Sequence, residues 1–284
     1  MAYTFTGHDT FTCRNYWLKK GLDHIWSGKK FDNQAIKDLG VGKNMVGSIR
    51  YWLRSFGLVD SSEINESIAQ LIFHEVEGKD PYLEDMGSIW LLHFLLVTSE
   101  KASIYSLVFN HFRKEKMDFN REQLQSFVET KCQSKGFNYN SNSIKRDIGV
   151  FINNYRLANS KSIEDDFMGL LHELEIVDLS FKTGNQEIYK IDNKNRPTLP
   201  AEIILACVIK QMNGNSISFH EMLTGINQVG SVFAISNNYL LNRIEQCLEI
   251  YPKHLTYTDD GGVQVFQIIK KLDVIDVLNK YYAK

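Results

Sequence analysis

Hydrophobic residues recur along most of this chain at the three- and four-residue spacing of an α-helix. The spacing predicts helices at about 33–39, 43–56, 65–77, 86–98, 102–113, 121–134, 143–156, 200–212, 218–226 and 237–250, with one more at the C-terminal end. The segment at 86–98 is apolar nearly all round, so it should be a central, buried helix. The pattern therefore predicts a mainly α protein.

Two segments carry the alternation of a β-strand instead. Glu187–Ile191 alternates between apolar and polar positions, which predicts a short strand. Farther along, His254–Thr258 and Val263–Ile269 flank the turn sequence DDGG at 259–262. Glycines between two alternating runs favour a β-hairpin, because they adopt the turn conformations that other residues avoid.

Helix, helix and hairpin follow one another in the order of a winged helix in the C-terminal third, and the first sixty residues fit a helix-turn-helix. We therefore expect a mainly α fold with helix-turn-helix or winged-helix-like units at both ends, a helical middle and a few short strands. The expected domains are 1–60 (helix-turn-helix), 61–196 (helical, with a second helix-turn-helix near 121–156) and 197–284 (winged-helix-like).

Charge is segregated along the 284 residues although the net charge is only −2. Residues 1–60 hold nine Lys and Arg against five Asp and Glu, residues 61–100 hold one against eight, and residues 101–160 hold ten against five. Such blocks suit a protein with one cationic and one anionic face. Ordinary variation of surface charge is the alternative.

The four cysteines indicate free thiols rather than a metal knuckle, because Cys13, Cys132, Cys207 and Cys247 form no CxxC pair. The N-terminus lacks a secretory signal pattern. The most apolar run, Ile89–Val97, is too short to cross a bilayer. We expect a soluble, cytoplasmic protein with no membrane partner.

The predicted helix at 43–56 is the strongest candidate for a DNA-reading element. Its apolar face comprises Met45, Val46, Ile49, Trp52, Leu53 and Phe56. Its opposite face groups Lys43, Gly47, Arg50 and Arg54, with Asn44 and Ser48 beside them. The cations suit phosphates and guanine edges, and the two polar side chains suit base edges. A solvated basic face, with a glycine packed on a neighbour, is the alternative.

The helix at 143–156 repeats this pattern. Its polar face holds Lys145, Gly149, Asn153 and Arg156, with Arg146 next to Lys145, and a shift of 102 residues maps Lys43, Gly47 and Arg54 onto three of these. We therefore add Lys145, Arg146, Gly149 and Arg156 to the DNA-binding candidates, while three matches also arise readily by chance. The helix at 237–250 carries Glu245 and Glu249, which suits contact with a protein or a scaffolding role better.

Candidate chemistry concentrates in the N-terminal run FTGHDTFTCRNYW at 5–17. His8 is a candidate general acid or base, Asp9 a candidate orienting or metal-binding carboxylate, and Arg14 a candidate phosphate ligand. The alternative is a tucked segment in which His8 and Asp9 cap the first helix and Arg14 pairs with a carboxylate.

Elsewhere the sequence favours structural roles over catalytic ones. Asp80, Glu84 and Asp85 are of the type that holds magnesium, but they precede a helix, where carboxylates act as caps. Neither a HExxH zinc motif nor a GxSxG nucleophile motif occurs. No active site is evident from motifs alone.

Several runs together resemble the domain-of-unknown-function 4007 family of bacteria. They are FTGHDTF at 5–11 with Arg14 and Trp17, LGVGKNMV at 39–46 with Trp52, DPYLED at 80–85, WLLH at 90–93, and 143–155 with Asp147. The resemblance covers most of the chain and is strongest in residues 5–95. The motifs become loose toward the C-terminal end, which leaves the role of that part open.

This resemblance implies a component of a bacterial DNA phosphorothioation, or phage-defence, system. Family members are typically encoded beside a cysteine desulfurase and a sulfur-transferring ATP pyrophosphatase. The similar component of single-strand phosphorothioation systems is regarded as a DNA nickase. The implied partners are double-stranded DNA, the desulfurase, the pyrophosphatase and an ATPase, with a homodimer as a further option.

Two classes of function follow. The first is a metal-dependent nickase, using magnesium or manganese, in which His8, Asp9 and Arg14 are the residues to test. The second is a non-catalytic DNA-binding subunit or a transcriptional regulator of the same gene cluster, in which the basic helices carry the function. A protein-interaction scaffold is a third reading.

Overall fold

The computed structural model describes residues 3–60, 66–156, 168–184 and 186–284, and it is mainly helical with two small antiparallel sheets. The chain divides into two compact units. The first comprises Met1–Asp85 and Leu95–Ile191, and the second comprises Met86–Phe94 and Asp192–Lys284. The expected mainly α class is confirmed.

The first unit contains the helices α1 to α9, of which α5 supplies only its last residues. They are α1 (Trp17–Trp26), α2 (Ala35–Leu39), α3 (Lys43–Ser55), α4 (Glu66–Phe73), α5 (Met86–Thr98), α6 (Ser103–Leu107), α7 (Arg113–Glu115), α8 (Arg121–Ser134) and α9 (Ser141–Tyr155). A π-helical turn, Val108–Phe112, joins α6 to α7. The predicted helices at 43–56, 86–98, 121–134 and 143–156 are confirmed within two residues of their predicted bounds.

The apolar faces lie where the helical period places them. In α3, Val46, Ile49, Trp52 and Leu53 are buried. In α5 every residue from Gly87 to Val97 is buried, as expected of a helix that is apolar nearly all round. The helix contributes its residues as far as Phe94 to the second unit and the remainder to the first.

A turn stabilised by a carboxylate precedes α5. Asp80 is buried, and its two carboxylate oxygens accept hydrogen bonds from the backbone N–H groups of Glu84 (2.8 Å) and Asp85 (3.1 Å). Both oxygens are engaged in shaping the turn, so the structural role predicted for this acidic run fits better than a magnesium site.

The first sheet has three short strands, β1 (Asp118–Phe119), β2 (Asp178–Thr183) and β3 (Gln186–Lys190), in the order β1-β3-β2. The strand predicted at 187–191 is therefore present, one residue earlier. Its partner β2 was not predicted from the sequence, although Leu179 and Phe181 alternate with polar residues there, and β1 is too short, at two residues, to show an alternation.

The second unit contains α10 (Ala201–Gln211), β4 (Ser216–Ser218), α11 (Phe219–Thr224), α12 (Val229–Phe233), α13 (Asn237–Ile250), β5 (Leu255–Asp260), β6 (Val263–Ile268) and α14 (Val274–Tyr282). The predicted hairpin is confirmed as β5 and β6, and β4 completes the sheet order β4-β6-β5. Gly261 (φ 59°) and Gly262 (φ 84°) form its tip, where two left-handed residues match the twist of the strands.

The same order of elements occurs twice. In the first unit a helix (α6 to α7) is followed by β1, then α8 and α9, then the hairpin β2–β3. In the second unit α10 is followed by β4, then α11 to α13, then the hairpin β5–β6. In both sheets the short strand pairs antiparallel with the last strand of the hairpin.

All four cysteines are buried free thiols, as expected from their spacing. Burial raises the pKa of the Cys13 and Cys207 thiols well above the ordinary value. Among the described helices none combines the length and the apolar character that a membrane crossing requires.

A histidine lies in the core of the second unit. His93 is fully buried on α5, and its Nε2 is 2.9 Å from the carbonyl oxygen of Val232. Burial, assisted by the positive charge of Arg196, lowers the pKa of His93 to about 3, although the bond to Val232 opposes the shift. The ring is therefore neutral in the folded protein at neutral pH.

This buried histidine should make stability depend on pH. Below about pH 6.5 the unfolded chain binds a proton on His93 that the folded chain rejects. The free energy of unfolding therefore falls as pH drops from 6.5 toward 3, and the contribution of the neutral His93 ring is fully present above pH 6.5. The limiting slope is about 1.4 kcal/mol per pH unit. We expect His93→Gln to flatten this slope when urea unfolding is measured between pH 5 and pH 7, and an unchanged slope would contradict the assignment.

Candidate nucleic-acid interface

The N-terminal segment 4–13 crosses three helices of the first unit and is bonded to each. The backbone N–H of Thr4 donates to Ser103 Oγ on α6 (2.8 Å), and the indole Nε1 of Trp52 on α3 donates to the carbonyl of Phe11 (3.2 Å). On α9, Asn154 Oδ1 accepts from the N–H of Cys13 (3.0 Å). The segment is therefore an integral part of the core.

A further contact of this segment joins the side chain of His8 to that of Asp147 on α9. His8 Nε2 lies 3.1 Å from Asp147 Oδ1, and both side chains are almost completely buried. The backbone N–H of Thr10 donates to His8 Nδ1 (3.2 Å), so Nε2 carries the proton and donates to Asp147. The same Asp147 oxygen accepts from the N–H of Thr6 (2.9 Å). Hydrogen bonds of both His8 ring nitrogens and of the Asp147 carboxylate thus fix the conformation of the loop at residues 6–10.

Aromatic rings surround this carboxylate. His8 stacks on Trp52 (6.0 Å between centroids, 17° between planes) and meets Tyr51 edge-on (5.5 Å). Burial, reinforced by the Asp147 charge, raises the pKa of the Tyr51 hydroxyl. Asp147 Oδ2 has no hydrogen-bond partner in the described part of the chain.

The loop that carries His8 has an unusual backbone. Thr6 (φ 67°), Gly7 (φ 110°), Asp9 (φ 45°) and Thr10 (φ 72°) all lie in the left-handed half of the Ramachandran map. A side chain at Gly7 is excluded for two reasons. Its φ favours glycine, and an added Cβ would lie 2.5 Å from Tyr51 Cδ2. This tight path turns His8 inward and leaves Asp9 exposed.

The candidate residues His8, Asp9 and Arg14 therefore face different surroundings. His8 is 3% exposed with both nitrogens engaged, which does not fit a general acid or base in this conformation. Asp9 is exposed, and Arg14 is half-buried with its guanidinium 5.2 Å from the centroid of Trp17. The alternative role for His8 and Asp9 as caps of α1 is wrong, because Tyr16 precedes that helix and makes no side-chain cap.

Asp147 and Asn154 are buried polar residues that organise this part of the fold, and neither was among the candidate site residues predicted from the sequence, where Asp147 appeared only in the resemblance to the family. Both lie on the apolar side of α9, where Ile144, Ile148 and Phe151 are buried. A carboxylate and an amide within an apolar stripe were the available signal, because buried polar groups require partners. Their partners in the N-terminal segment lie more than a hundred residues away in the sequence.

The exposed face of α3 matches the predicted basic face. Lys43, Asn44, Gly47 and Arg50 are exposed, and Arg54 is half-buried. Neither Lys43 nor Arg50 has an ion pair or side-chain hydrogen bond with any residue that the structure describes. Their charges are therefore available to an anionic partner.

Ser48 is a correction to the expected DNA-facing set. Its side chain is fully buried, and its hydroxyl donates to the carbonyl oxygens of His8 (2.8 Å) and Asn44 (3.0 Å). It points toward the N-terminal segment rather than to solvent. Its role is to connect α3 with the loop that Asp147 holds.

Gly47 has no internal reason to be a glycine. A Cβ built there meets nothing within 4 Å, and its φ lies outside the left-handed region. Glycine within a helix costs about 1 kcal/mol relative to alanine. Among the described residues the alternative that this glycine packs on a neighbour is therefore wrong, while a solvated basic face stays an alternative.

A shallow pocket of about 230 Å³ lies against this face. Its walls come from the segment before and within α2 and from the exposed side of α3: Phe31, Asp32, Asn33, Ile36, Lys43, Val46, Gly47 and Arg50. Two cations, a carboxylate, an amide and apolar side chains thus share one concave surface. The open side of Gly47 forms part of it.

On α9 the second group of candidates is only partly exposed. Lys145 and Arg146 are exposed and lack partners among the described residues. Gly149 is half-buried, and a Cβ there would touch only Arg121 Nη1 at 3.7 Å. Arg156 donates to the carbonyl of Val177 (3.4 Å), so it also supports the fold.

No preformed metal centre is visible in residues 3–60, 66–156, 168–184 and 186–284. Within these ranges no three His, Cys, Asp or Glu side chains come together as metal ligands.

Comparison with known proteins gives a family and a fold. The family model described as "Protein of unknown function (DUF4007)" matches residues 5–282. A structure described as "Magnesium ion-bound SspB crystal structure" is similar at a TM-score of 0.87 and 25% identity. A second structure, described as "SspB crystal structure", is similar at a TM-score of 0.83 and 24% identity. Each similarity covers 99% of this chain and 88% of the other. No curated protein matches.

Removing the Asp147 carboxylate should destabilise the first unit. Asp147→Ala leaves the Thr6 N–H and His8 Nε2–H buried without acceptors, so we expect a loss of about 3 kcal/mol in the free energy of unfolding. Asp147→Asn keeps Oδ1 as an acceptor and should lose less. The exposed Asp118→Ala, in the same unit and outside the left-handed region, is the matched control and should change stability by less than about 0.5 kcal/mol. Equal losses at both positions in urea unfolding would refute the role of Asp147.

Proposed function

The chain belongs to the DUF4007 family, and on that premise we propose that it is the DNA-binding component of a bacterial DNA phosphorothioation system, nicking one strand so that partner proteins can insert sulfur. The observation that carries the DNA-binding part is the exposed face of α3. Lys43 and Arg50 lack partners there among the described residues, on either side of a glycine whose added Cβ would touch none of those residues. Such a face suits the phosphates and groove edges of DNA.

Element order supports winged-helix units as the DNA-binding framework. A winged helix consists of a helix, a short strand, two helices and a hairpin, which is the order of residues 103–190, and residues 201–268 follow the same order with a third helix between the strand and the hairpin. In the first of these α9 takes the place of the recognition helix, with Lys145 and Arg146 exposed. We therefore propose DNA contact through both α3 and α9.

The C-terminal unit suits a protein partner instead. On α13 the exposed side chains include Glu245 and Glu249, and the hairpin ends in Asp259 and Asp260. Negative charge at these positions repels phosphates. We propose that residues 197–284 bind the other phosphorothioation proteins, the cysteine desulfurase, the ATP pyrophosphatase or the ATPase. Residues 1–60 and 61–196 would bind DNA. The protein would act in the cytoplasm.

Nicking requires activation of water and stabilisation of a charged phosphate, which divalent metals commonly supply. One of the similar structures is described as magnesium-bound, which supports a requirement for magnesium or manganese. The described residues offer no site at which three side chains could together hold a metal ion. Asp9 and Arg14 are the accessible candidates for chemistry, and His8 is proposed as a positioning residue.

The second candidate function is a non-catalytic DNA-binding protein or regulator of the modification genes. It is favoured by the engaged state of His8, whose nitrogens are both bonded within the protein. Under this proposal α3 and α9 suffice, and the protein binds DNA without cutting it. A homodimer would suit the two-fold symmetry of many regulator sites.

Charge removal on α3 should weaken DNA binding in a salt-dependent way. We expect Lys43→Ala and Arg50→Ala each to reduce the slope of log affinity against log salt by about 0.9, because each phosphate contact releases counterions. Lys271→Ala, an exposed cation of the second unit, is the matched control. Fluorescence anisotropy with a labelled duplex at several salt concentrations measures the slopes. Wild-type slopes in both α3 variants would refute contact between this face and the DNA backbone.

Nicking should appear as metal-dependent relaxation of supercoiled plasmid. With magnesium or manganese we expect open circles, and with a chelator none. Asp9→Ala and Arg14→Ala should slow the reaction by at least about 100-fold while leaving DNA binding intact. Full activity in both variants would remove these residues from the mechanism. Salt-sensitive binding without any open circles would favour the regulator.

A further inference from the structure

The pocket beside Gly47 differs from a simple phosphate site in its size. A single water molecule takes roughly 30 Å³ of the liquid, so a pocket of about 230 Å³ holds more than a lone anion. The pocket lies on the exposed face of α3 that the proposed function turns toward DNA. Its occupant should therefore be a larger part of the nucleic acid than a phosphate group.

The charges lining the pocket also indicate a composite ligand. Lys43 and Arg50 attract phosphates, whereas the Asp32 carboxylate in the same pocket repels them. One Asp32 oxygen accepts from the N–H of Gln34 (2.8 Å). The other is free to accept from a base amino group, and the amide of Asn33 can both donate and accept. Cations for phosphate and acceptors for a base edge fit a nucleotide.

Apolar walls complete the site. Phe31 is half-buried and held against His24, with the two ring centroids 5.2 Å apart. Ile36 and Val46 add further apolar surface, and the open side of Gly47 leaves room over α3. An aromatic ring and aliphatic side chains next to polar groups are the surroundings that a flat base prefers outside the helix stack.

We propose that this pocket receives one unstacked nucleotide of the bound DNA. Phe31 would contact the face of the base, Asp32 and Asn33 would contact its polar edge, and Lys43 and Arg50 would hold the flanking phosphates. The glycine at position 47 is then explained, because a side chain there would occupy the space of the nucleotide. This inference rests on the proposed function, since it requires that α3 faces DNA.

A duplex that releases a base easily tests the pocket. A mismatched base is less costly to unstack than a paired one. We therefore expect a duplex with one central cytosine–adenine mismatch to bind several-fold more tightly than the fully paired duplex. A duplex with abasic sites opposite each other on both strands, which has no base to offer at that position, should lack the preference. Competition anisotropy at fixed salt measures all three.

Three variants separate the pocket from the rest of the interface. Gly47→Leu fills the pocket and should abolish the mismatch preference, and because leucine is a better helix former than glycine the variant should fold. Asp32→Asn keeps the bond to Gln34 but changes the base-facing group, so it should reduce the preference. Lys145→Ala on α9 is the control and should lower affinity for all duplexes equally.

Each result decides the inference. A preference for the mismatch that disappears in Gly47→Leu and survives in Lys145→Ala supports it. Equal affinity for paired and mismatched duplexes, with tighter binding of both by Asp32→Asn, makes the pocket a phosphate site and overturns the inference while leaving the proposed function standing. Failure of wild-type protein to bind any of the duplexes overturns both.

Discussion

The organisation of the first unit depends on a single buried carboxylate. Asp147 is removed from water, and its Oδ1 accepts from the backbone of Thr6 and from the ring of His8. A buried polar group is stable only while its hydrogen bonds are kept, so the N-terminal loop cannot detach without breaking the bonds that this carboxylate accepts. Through that loop the helices α3, α6 and α9 are held to one another.

The same arrangement divides α3 into two sides with different tasks. Ser48 and Trp52 bond to the N-terminal segment and fix the rotation of the helix. On the other side Lys43, Gly47 and Arg50 remain exposed, with the pocket beside them. A basic surface whose backbone is fixed from behind loses little conformational entropy when it binds a ligand. The FTGHDTF run thus supports this face of α3 through its buried contacts.

A second feature of the molecule is that its two units share one order of elements but expose opposite charges on corresponding helices. The helix α9 presents Lys145 and Arg146, whereas α13 presents Glu245 and Glu249. The two units share the order of helices and strands, and each builds its core from buried apolar side chains. The exposed residues are free to differ, so one scaffold can serve two kinds of partner, which agrees with function residing in surface sites rather than in the fold.

Local pattern determined much of this structure in advance. The helices α3, α5, α8 and α13 and the Gly-Gly hairpin follow from spacing within the sequence, because each is formed by residues close together in the chain. The strands β1 and β4 were beyond such reasoning, since they are two and three residues long and exist only through pairing with distant hairpins.

For the site, the sequence by itself determined the basic face of α3 and the importance of the N-terminal run. Only the tertiary structure decided that His8 is locked to Asp147, that Ser48 is internal, and that residues 31–36 close a pocket against Gly47. Burial and partnership depend on residues far apart in the chain, and no periodicity encodes which distant side chain will accept a given hydrogen bond.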